Sequence, residues 1–235
     1  MKIFTYIKND SKRIQKKNFQ KIGGLPLWKH LMYELCKINT EVFIDTDSKQ
    51  ILTEAKLDKN FNNKIKCYFR DKKFIEMEND SANALSPALL MVQNFLDRYV
   101  VDDNETIILT HVTSPFLKKE TLKKAVDIYE SSNYEFLHSV NMQKDFAFKN
   151  SFNNPINFNP DVVQRTQDLE PIYFSNGAFF IFTKKVFMKY NNRWGKNIYF
   201  YTLNEIEGME IDYPEDLQLA RYIYYGIEKE KNEFS

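Results

Sequence analysis

What the chain lacks narrows the field first. Six glycines among 235 residues is well below the roughly 7% of average usage. No GxxxxGK[ST] run occurs, and Gly23-Gly24 stands too far from the first strand to cradle a phosphate, so a Walker-type ATPase is excluded. The two cysteines, Cys36 and Cys67, lie far apart without a CxxC spacing or a neighbouring His cluster. That excludes a disulfide framework and a structural zinc site. No apolar run approaches the ~18 residues of a membrane span, and the opening MKIFTYIKND is interrupted by charge too soon to be a signal peptide. The expectation is a soluble, cytoplasmic protein. Net charge is missing too: 33 Lys and Arg face 32 Asp and Glu, leaving +1. No global field therefore holds the chain on nucleic acid or an anionic membrane, and any anion site must be local.

What is present is aromatic and regular. Twenty Phe and 14 Tyr predict an aromatic-rich core, and the length suits one domain over 1–235, with no repeats and no interdomain linker. Short apolar runs alternate with amphipathic stretches, the pattern of strands fed through crossover helices into a largely parallel sheet. Strands are predicted at 3–7, 41–44, 65–69, 106–109 and 135–140, and helices at 27–37, 84–99 and 120–131. The fold class is α/β. Residues 141–170 break the pattern with Asn, alternating aromatics, Pro155 and Pro160, and read as a hairpin or extended arm. Strands follow at 172–174, 178–182 and 199–203, then a short one ending at Asp212, then a helix from Pro214.

Four clusters carry chemistry. The first strand runs into a loop holding Lys8, Lys12, Arg13, Lys16, Lys17 and Lys21, at the sheet edge where α/β folds bind ligands. Such charge suits a polyphosphate, with a merely solvated loop as the other reading. Asp45-Thr46-Asp47 is formally the D-x-D manganese motif of glycosyltransferases. Its place before a helix near Lys49 favours instead capping by Asp47 or Ser48. Thr113-Ser114-Pro115 faces the same edge, and is also an ordinary N-cap for a helix over 118–131. Glu210 and Asp212, at i, i+2 on a short strand, point to one face and suit Mg²⁺, which takes carboxylate, water and phosphate oxygens. Helix capping competes for Asp212, while Pro214, Glu215 and Asp216 fit the first helical turn.

The loop K-N-D-S-K-R-I-Q-K-K-N, Lys8 to Asn18, resembles the R-G-G-S-K-R-I-P-x-K-N opening of the acylneuraminate cytidylyltransferases, the CMP-sialic acid synthetases. F-I-D-T-D-S-K-Q-I, V-T-S-P-F, R-T-Q-D-L, S-N-G-A-F-F-I and E-I-D-Y-P-E-D-L are similar to later segments of that family, in the same order over nearly the whole chain. The resemblance implies a three-layer α/β/α, Rossmann-like nucleotidyltransferase fold, GT-A-like, with a mostly parallel sheet and a small dimerisation arm at 141–170. It also implies a CTP-dependent transfer of CMP to a sialic-acid-like nonulosonic acid, with release of pyrophosphate, by a homodimer using Mg²⁺ on Glu210 and Asp212.

Residue by residue, the resemblance puts Lys17 on the departing pyrophosphate, Lys8 and Lys12 on the other phosphates, and Ser11 and Asn18 on the nucleotide. Arg70 and Ala82 fall to the ribose and cytosine, and Thr113 to the nucleotide, with His111 where the family has a Gln. Arg165 is expected to pair with the sugar carboxylate, and Gln167 and Asn176 with its hydroxyl or acylamido groups. Lys8 for Arg, Asn9-Asp10 for two glycines, Gln15 for Pro and Glu210 for Asp mark a divergent member. Two rivals stay open: a nucleotide-sugar glycosyltransferase using Asp45 and Asp47, and a non-catalytic nucleotide-binding homologue.

Overall fold

The computed structural model describes residues 1–61, 63–80, 86–150 and 154–233. Seven of its strands, β1 (Lys2–Ile7), β4 (Glu41–Thr46), β5 (Ile65–Phe69), β6 (Thr106–Thr110), β7 (Phe136–Gln143), β8 (Ile172–Thr183) and β9 (Ile198–Thr202), form one sheet. The order is β5-β4-β1-β6-β8-β7-β9. Only β8 runs against the rest, pairing antiparallel with both β6 and β7. Strands β2 (Lys21–Ile22) and β3 (Leu25–Pro26) make a separate hairpin with Gly23 and Gly24 at positive φ in its turn.

Helices cover both faces: α1 (Leu27–Cys36), α2 (Lys49–Leu57), α3 (Lys72–Asn79), α4 (Ala88–Tyr99), α5 (Lys119–Glu130), α6 (Lys184–Tyr190) and α7 (Pro214–Glu233). Alternation along the strands divides the apolar residues between two cores. Ile3, Ile44, Ile108 and Phe179 pack under α1, α2 and α5 through Trp28, Leu31, Ile51 and Leu122. Phe4, Phe43, Phe180 and Phe182 pack under α4 and α6 through Phe95 and Phe187, with the Phe4 and Phe95 rings stacked at 4.4 Å. The architecture is the expected three-layer, mostly parallel one.

A third, smaller cluster positions chemistry. Ile14 from the basic loop, Ile22, Leu27 and Ile211 meet Leu217 and Ala220 of α7. Burying a side chain such as the fully enclosed Ile211 contributes about 1.5–3 kcal/mol, which locks the two flanking carboxylates in place. The chain leaves β1 for β4 on one side and returns to β6 on the other. The carboxyl ends of β1 and β6 therefore form the topological switch point, where open α/β sheets bind ligands.

Four local expectations are corrected. No strand ends at Asp212; Glu210 and Asp212 lie in an extended segment outside the sheet, held by the Ile211 amide donating to the Thr113 carbonyl at 2.9 Å. The segments 172–174 and 178–182 are one strand, since Gly177 at φ +66° forms a bulge that lets pairing resume beyond it. Thr113-Ser114-Pro115 does not cap α5, whose N-cap position is Lys118. Helices α3 and α6 fall where the pattern predicts none. Each buries a single apolar side chain, Phe74 and Phe187, too few to show helical periodicity.

Candidate active site

A cleft of about 890 Å³ opens at the switch point, lined by the basic loop, the ends of β1 and β6, and the Glu210–Asp212 segment. The loop is folded by its own polar residues. Asp10 accepts from the amides of Ser11 at 2.9 Å and Lys16 at 3.0 Å, and those bonds hold its carboxyl below the usual range. Asn18 closes the loop, its Nδ2 donating to the Lys8 carbonyl at 2.8 Å. The Asn9 amide donates to Asp47 at 2.5 Å, which ties the loop to the end of β4.

These clasps present Lys8, Ser11, Lys12, Arg13 and Lys17 to the cleft. Lys17 reaches across it, with Nζ donating to the Ile211 carbonyl at 2.8 Å and to Asp212 Oδ1 at 3.1 Å. Arg13 takes the other oxygen of Asp212 at 2.6 Å. Burial works against ionisation of Asp212, but Lys17 and Arg13 outweigh it and hold the carboxyl below its usual range. Glu210 is shifted the other way, raised by burial and by the charge of Asp212, with partial relief from Thr113, whose hydroxyl donates to it at 3.2 Å.

The two carboxylates thus share one wall, with negative charge at Glu210 only partly compensated. That donor set fits Mg²⁺, which needs few protein oxygens and completes its shell with water and phosphate. Among the described residues no group of three or more His, Cys, Asp and Glu is placed to hold a metal ion, and Glu210 and Asp212 are the carboxylates that would hold one here. Asp212 does not cap α7. Asp216 accepts from the amides of Asp212 and Tyr213 at 2.9 and 2.7 Å instead.

His111, opposite, bonds through Nε2 to the Tyr6 hydroxyl at 2.9 Å. Burial, with the charge of Arg193, pushes its pKa down to about 4, so the ring is neutral at pH 7 and works as a hydrogen-bonding group. Gly177 lies directly behind it. A Cβ there would stand 3.3 Å from His111 Nδ1 and 3.5 Å from the Glu210 carboxylate, at φ +66°. Gly177→Ala is therefore expected to cost about 1–2 kcal/mol from the left-handed backbone alone, lowering the thermal midpoint by about 2–8 °C. An unshifted melt would mean that the bulge relaxes freely.

Other expected site residues lie elsewhere. Arg70 is fully buried beneath the cleft, donating to Asp45 and Glu78 at 2.5 Å each. It meets the cleft lining at Glu78, which pairs with Lys8 at 2.9 Å. With Asp45 buried against Arg70 and Asp47 holding Asn9, the D-x-D does not form a manganese site. Ser48 is the residue that caps α2, accepting from the Ile51 amide at 3.3 Å. Ala82 lies outside the described residues.

Asn176 does not face the cleft. Its amide accepts from Ser139 at 2.7 Å and donates to Asn141 at 2.7 Å, and Asn141 donates in turn to the Gly208 carbonyl. It is a brace for the segment leading to Glu210. Arg165 and Gln167 lie on the 141–170 arm, which includes a Phe148–Pro155 bridge. Arg165 is 74% exposed and paired with Asp168 at 2.6 Å, and Lys144 donates to the Gln167 carbonyl at 3.1 Å. Within one chain neither enters the cleft. Tyr6, Arg13, Glu78 and Arg193 have no role assigned from sequence; only Arg13 carries a signal there, as one of the loop cations.

This cleft can hold a triphosphate between the loop cations and a carboxylate pair. The chain is 24% identical over 96% of its length to an N-acylneuraminate cytidylyltransferase of Streptococcus agalactiae, of which it spans 54%, so it covers about half the length of that relative. It is 27% identical, over 89% of its length and 90% of the relative's, to a CMP-N,N'-diacetyllegionaminic acid synthase of Legionella pneumophila. Among solved structures, a CMP:2-keto-3-deoxy-manno-octonic acid synthetase complexed with CTP superposes with a TM-score of 0.65 at 11% identity, covering 95% of this chain and 98% of that one. The cytidylyltransferase family model matches residues 8–234, and this chain belongs to that family.

Proposed function

We propose that the protein is a CTP-dependent cytidylyltransferase that couples CMP to a sialic-acid-like nonulosonic acid. The single observation that carries this reading is the meeting of Lys17, Arg13 and Asp212 in one ion-paired group at the switch point. The anomeric oxygen of the sugar attacks the α-phosphorus in line, its hydroxyl proton passes to solvent, and the bond to pyrophosphate breaks. Lys17 stabilises the charge that grows on the departing pyrophosphate, while Lys8, Ser11, Lys12 and Asn18 hold the rest of the nucleotide. Mg²⁺ on Asp212 and Glu210, when bound, neutralises phosphate charge. His111 and Thr113 fix the wall beside the α-phosphate, and Arg70 sets Lys8 through Glu78.

The arm supports a homodimer. Phe146, Phe148, Ile156, Val162 and Val163 are exposed on it, apolar surface of the kind that marks association. A second copy packed there brings Arg165 and Gln167 to its neighbour's cleft. Arg165→Ala is then expected to raise the sugar KM about tenfold or more with the CTP KM unchanged. An unchanged sugar KM removes Arg165 from the acceptor site. The free cysteines suit a reducing cytoplasm.

The deciding experiment is pyrophosphate release from CTP, UTP, ATP and GTP with Mg²⁺ and a panel of N-acetylneuraminate, N,N'-diacetyllegionaminate and pseudaminate, beside a metal-free control. Metal-dependent release with CTP and one of these acids is the expected result. CTP binding with silence across the panel would point to the non-catalytic homologue.

A further inference from the structure

One cation beside the cleft has no part in the reaction as described. Arg193 lies in the loop between α6 and β9, half-buried, with its guanidinium carbon 4.5 Å from the centroid of the Phe180 ring. It stands against the Tyr6 phenol and its charge acts on His111 and His138. Tyr6 and His111 both line the cleft. Among the described residues the side chain of Arg193 meets aromatic and neutral polar groups, and none of its contacts is an ion pair.

Three restraints fix the turn that carries that cation. Asn191 ends α6 in the left-handed conformation at φ 46°. Asn192 Oδ1 then accepts from the Arg193 and Trp194 amides at 2.7 and 3.3 Å, fixing the turn. Trp194 stacks on His138 at 4.5 Å, and His138 is anchored to Ser175 Oγ at 2.8 Å. Partial burial of a charge without a counter-charge is unfavourable. A guanidinium kept in that state beside a cleft is prepared for an anion that arrives with a ligand.

The anion is a carboxylate by position. The phosphate-side cations Lys8, Lys12, Arg13 and Lys17 all come from the first loop, where Lys8, Arg13 and Lys17 face Glu78 and Asp212. Arg193 comes from the loop before β9, an edge strand of the sheet, and acts on His111, which adjoins Gly177. In a 2-keto sugar acid the carboxylate sits on the carbon that bears the attacking hydroxyl, so it enters the cleft with that hydroxyl. A planar guanidinium takes a carboxylate in two parallel hydrogen bonds.

We propose that Arg193, standing behind the Tyr6 and His111 wall of the cleft, is the acceptor-carboxylate anchor supplied by the chain itself, a role that rests on the cytidylyltransferase reading and precedes any contribution from the arm. The test uses the full-length protein with saturating CTP and Mg²⁺, and compares wild type, Arg193→Gln and Arg193→Lys. The acceptor is whichever of N-acetylneuraminate, N,N'-diacetyllegionaminate and pseudaminate the wild type turns over, alongside its carboxamide. Arg193→Gln is expected to raise the acid's KM about 10–100-fold, leave the CTP KM within about twofold, and abolish the preference for acid over carboxamide. Arg193→Lys, which keeps the charge without the fork and guards against loss of fold, falls between.

An unchanged acid KM, or an acid preference retained by Arg193→Gln, overturns the role of Arg193 alone. A wild type that turns over none of the three acids overturns the functional reading along with it.

Discussion

Lys17→Ala is expected to lower kcat by about 10²–10³-fold while changing the KM for CTP by less than about tenfold. The asymmetry follows from where charge moves. On the proposed reading the triphosphate in the ground state already has Lys8, Lys12 and Arg13, all lining the cleft, at its disposal, and loss of one cation among several is a modest loss of binding. As the bond to the α-phosphorus breaks, charge accumulates on the leaving oxygens, and a preorganised ammonium beside them is worth more then than before. Lys17 is preorganised in this sense: its side chain is 12% exposed, and its Nζ is fixed by the Ile211 carbonyl and Asp212. Those same bonds could transmit a purely structural effect, so Lys17→Met, which keeps the buried stem, and a melting curve accompany the kinetics. Equal losses in kcat and in CTP affinity would assign Lys17 to uniform binding of the nucleotide.

Much of this site is legible in the sequence, because its chemistry lies in contiguous segments. Lys8 to Asn18 follows a strand directly, which puts the loop at a sheet edge, and Glu210 and Asp212 flank one apolar residue, which turns both to one face. What spacing cannot give is depth. Arg70 follows β5 as visibly as Lys8 follows β1, yet its amide pairs with the Thr46 carbonyl at 2.8 Å and its side chain turns under the cleft to Asp45. Asn176-Gly177 reads as a turn, but the bulge is set by β7 across the sheet, which no local pattern records. Tyr6 and Glu78 reach the cleft from separate elements, and Arg193 reaches the far side of Tyr6 from another, all through tertiary packing. The acid pair survives the loss of its predicted strand because burial of Ile211 enforces the same outward pointing that strand alternation would impose.

Arg70→Met is expected to destabilise the fold by about 3–5 kcal/mol, lowering the thermal midpoint by about 6–20 °C at roughly 2–4 °C per kcal/mol. Arg70 is fully buried and serves two carboxylates, Asp45 and Glu78. Removal of the cation leaves one of them, Asp45, enclosed with no counter-charge, and the other dependent on Lys8 alone. Calorimetry of the single variant measures the loss. The double variant Arg70→Met, Asp45→Asn should recover part of it, because a neutral amide replaces the stranded charge. CTP affinity is expected to fall only severalfold, by the route that Glu78 then competes undivided for Lys8 and draws it from the phosphates. A variant that melts like the wild type yet no longer binds CTP would reverse the assignment and place the guanidinium on the nucleotide. The ion pairs argue against that result: a side chain held by two carboxylates in a buried site has to give up those bonds to turn toward a ribose, and nothing in a neutral sugar replaces them.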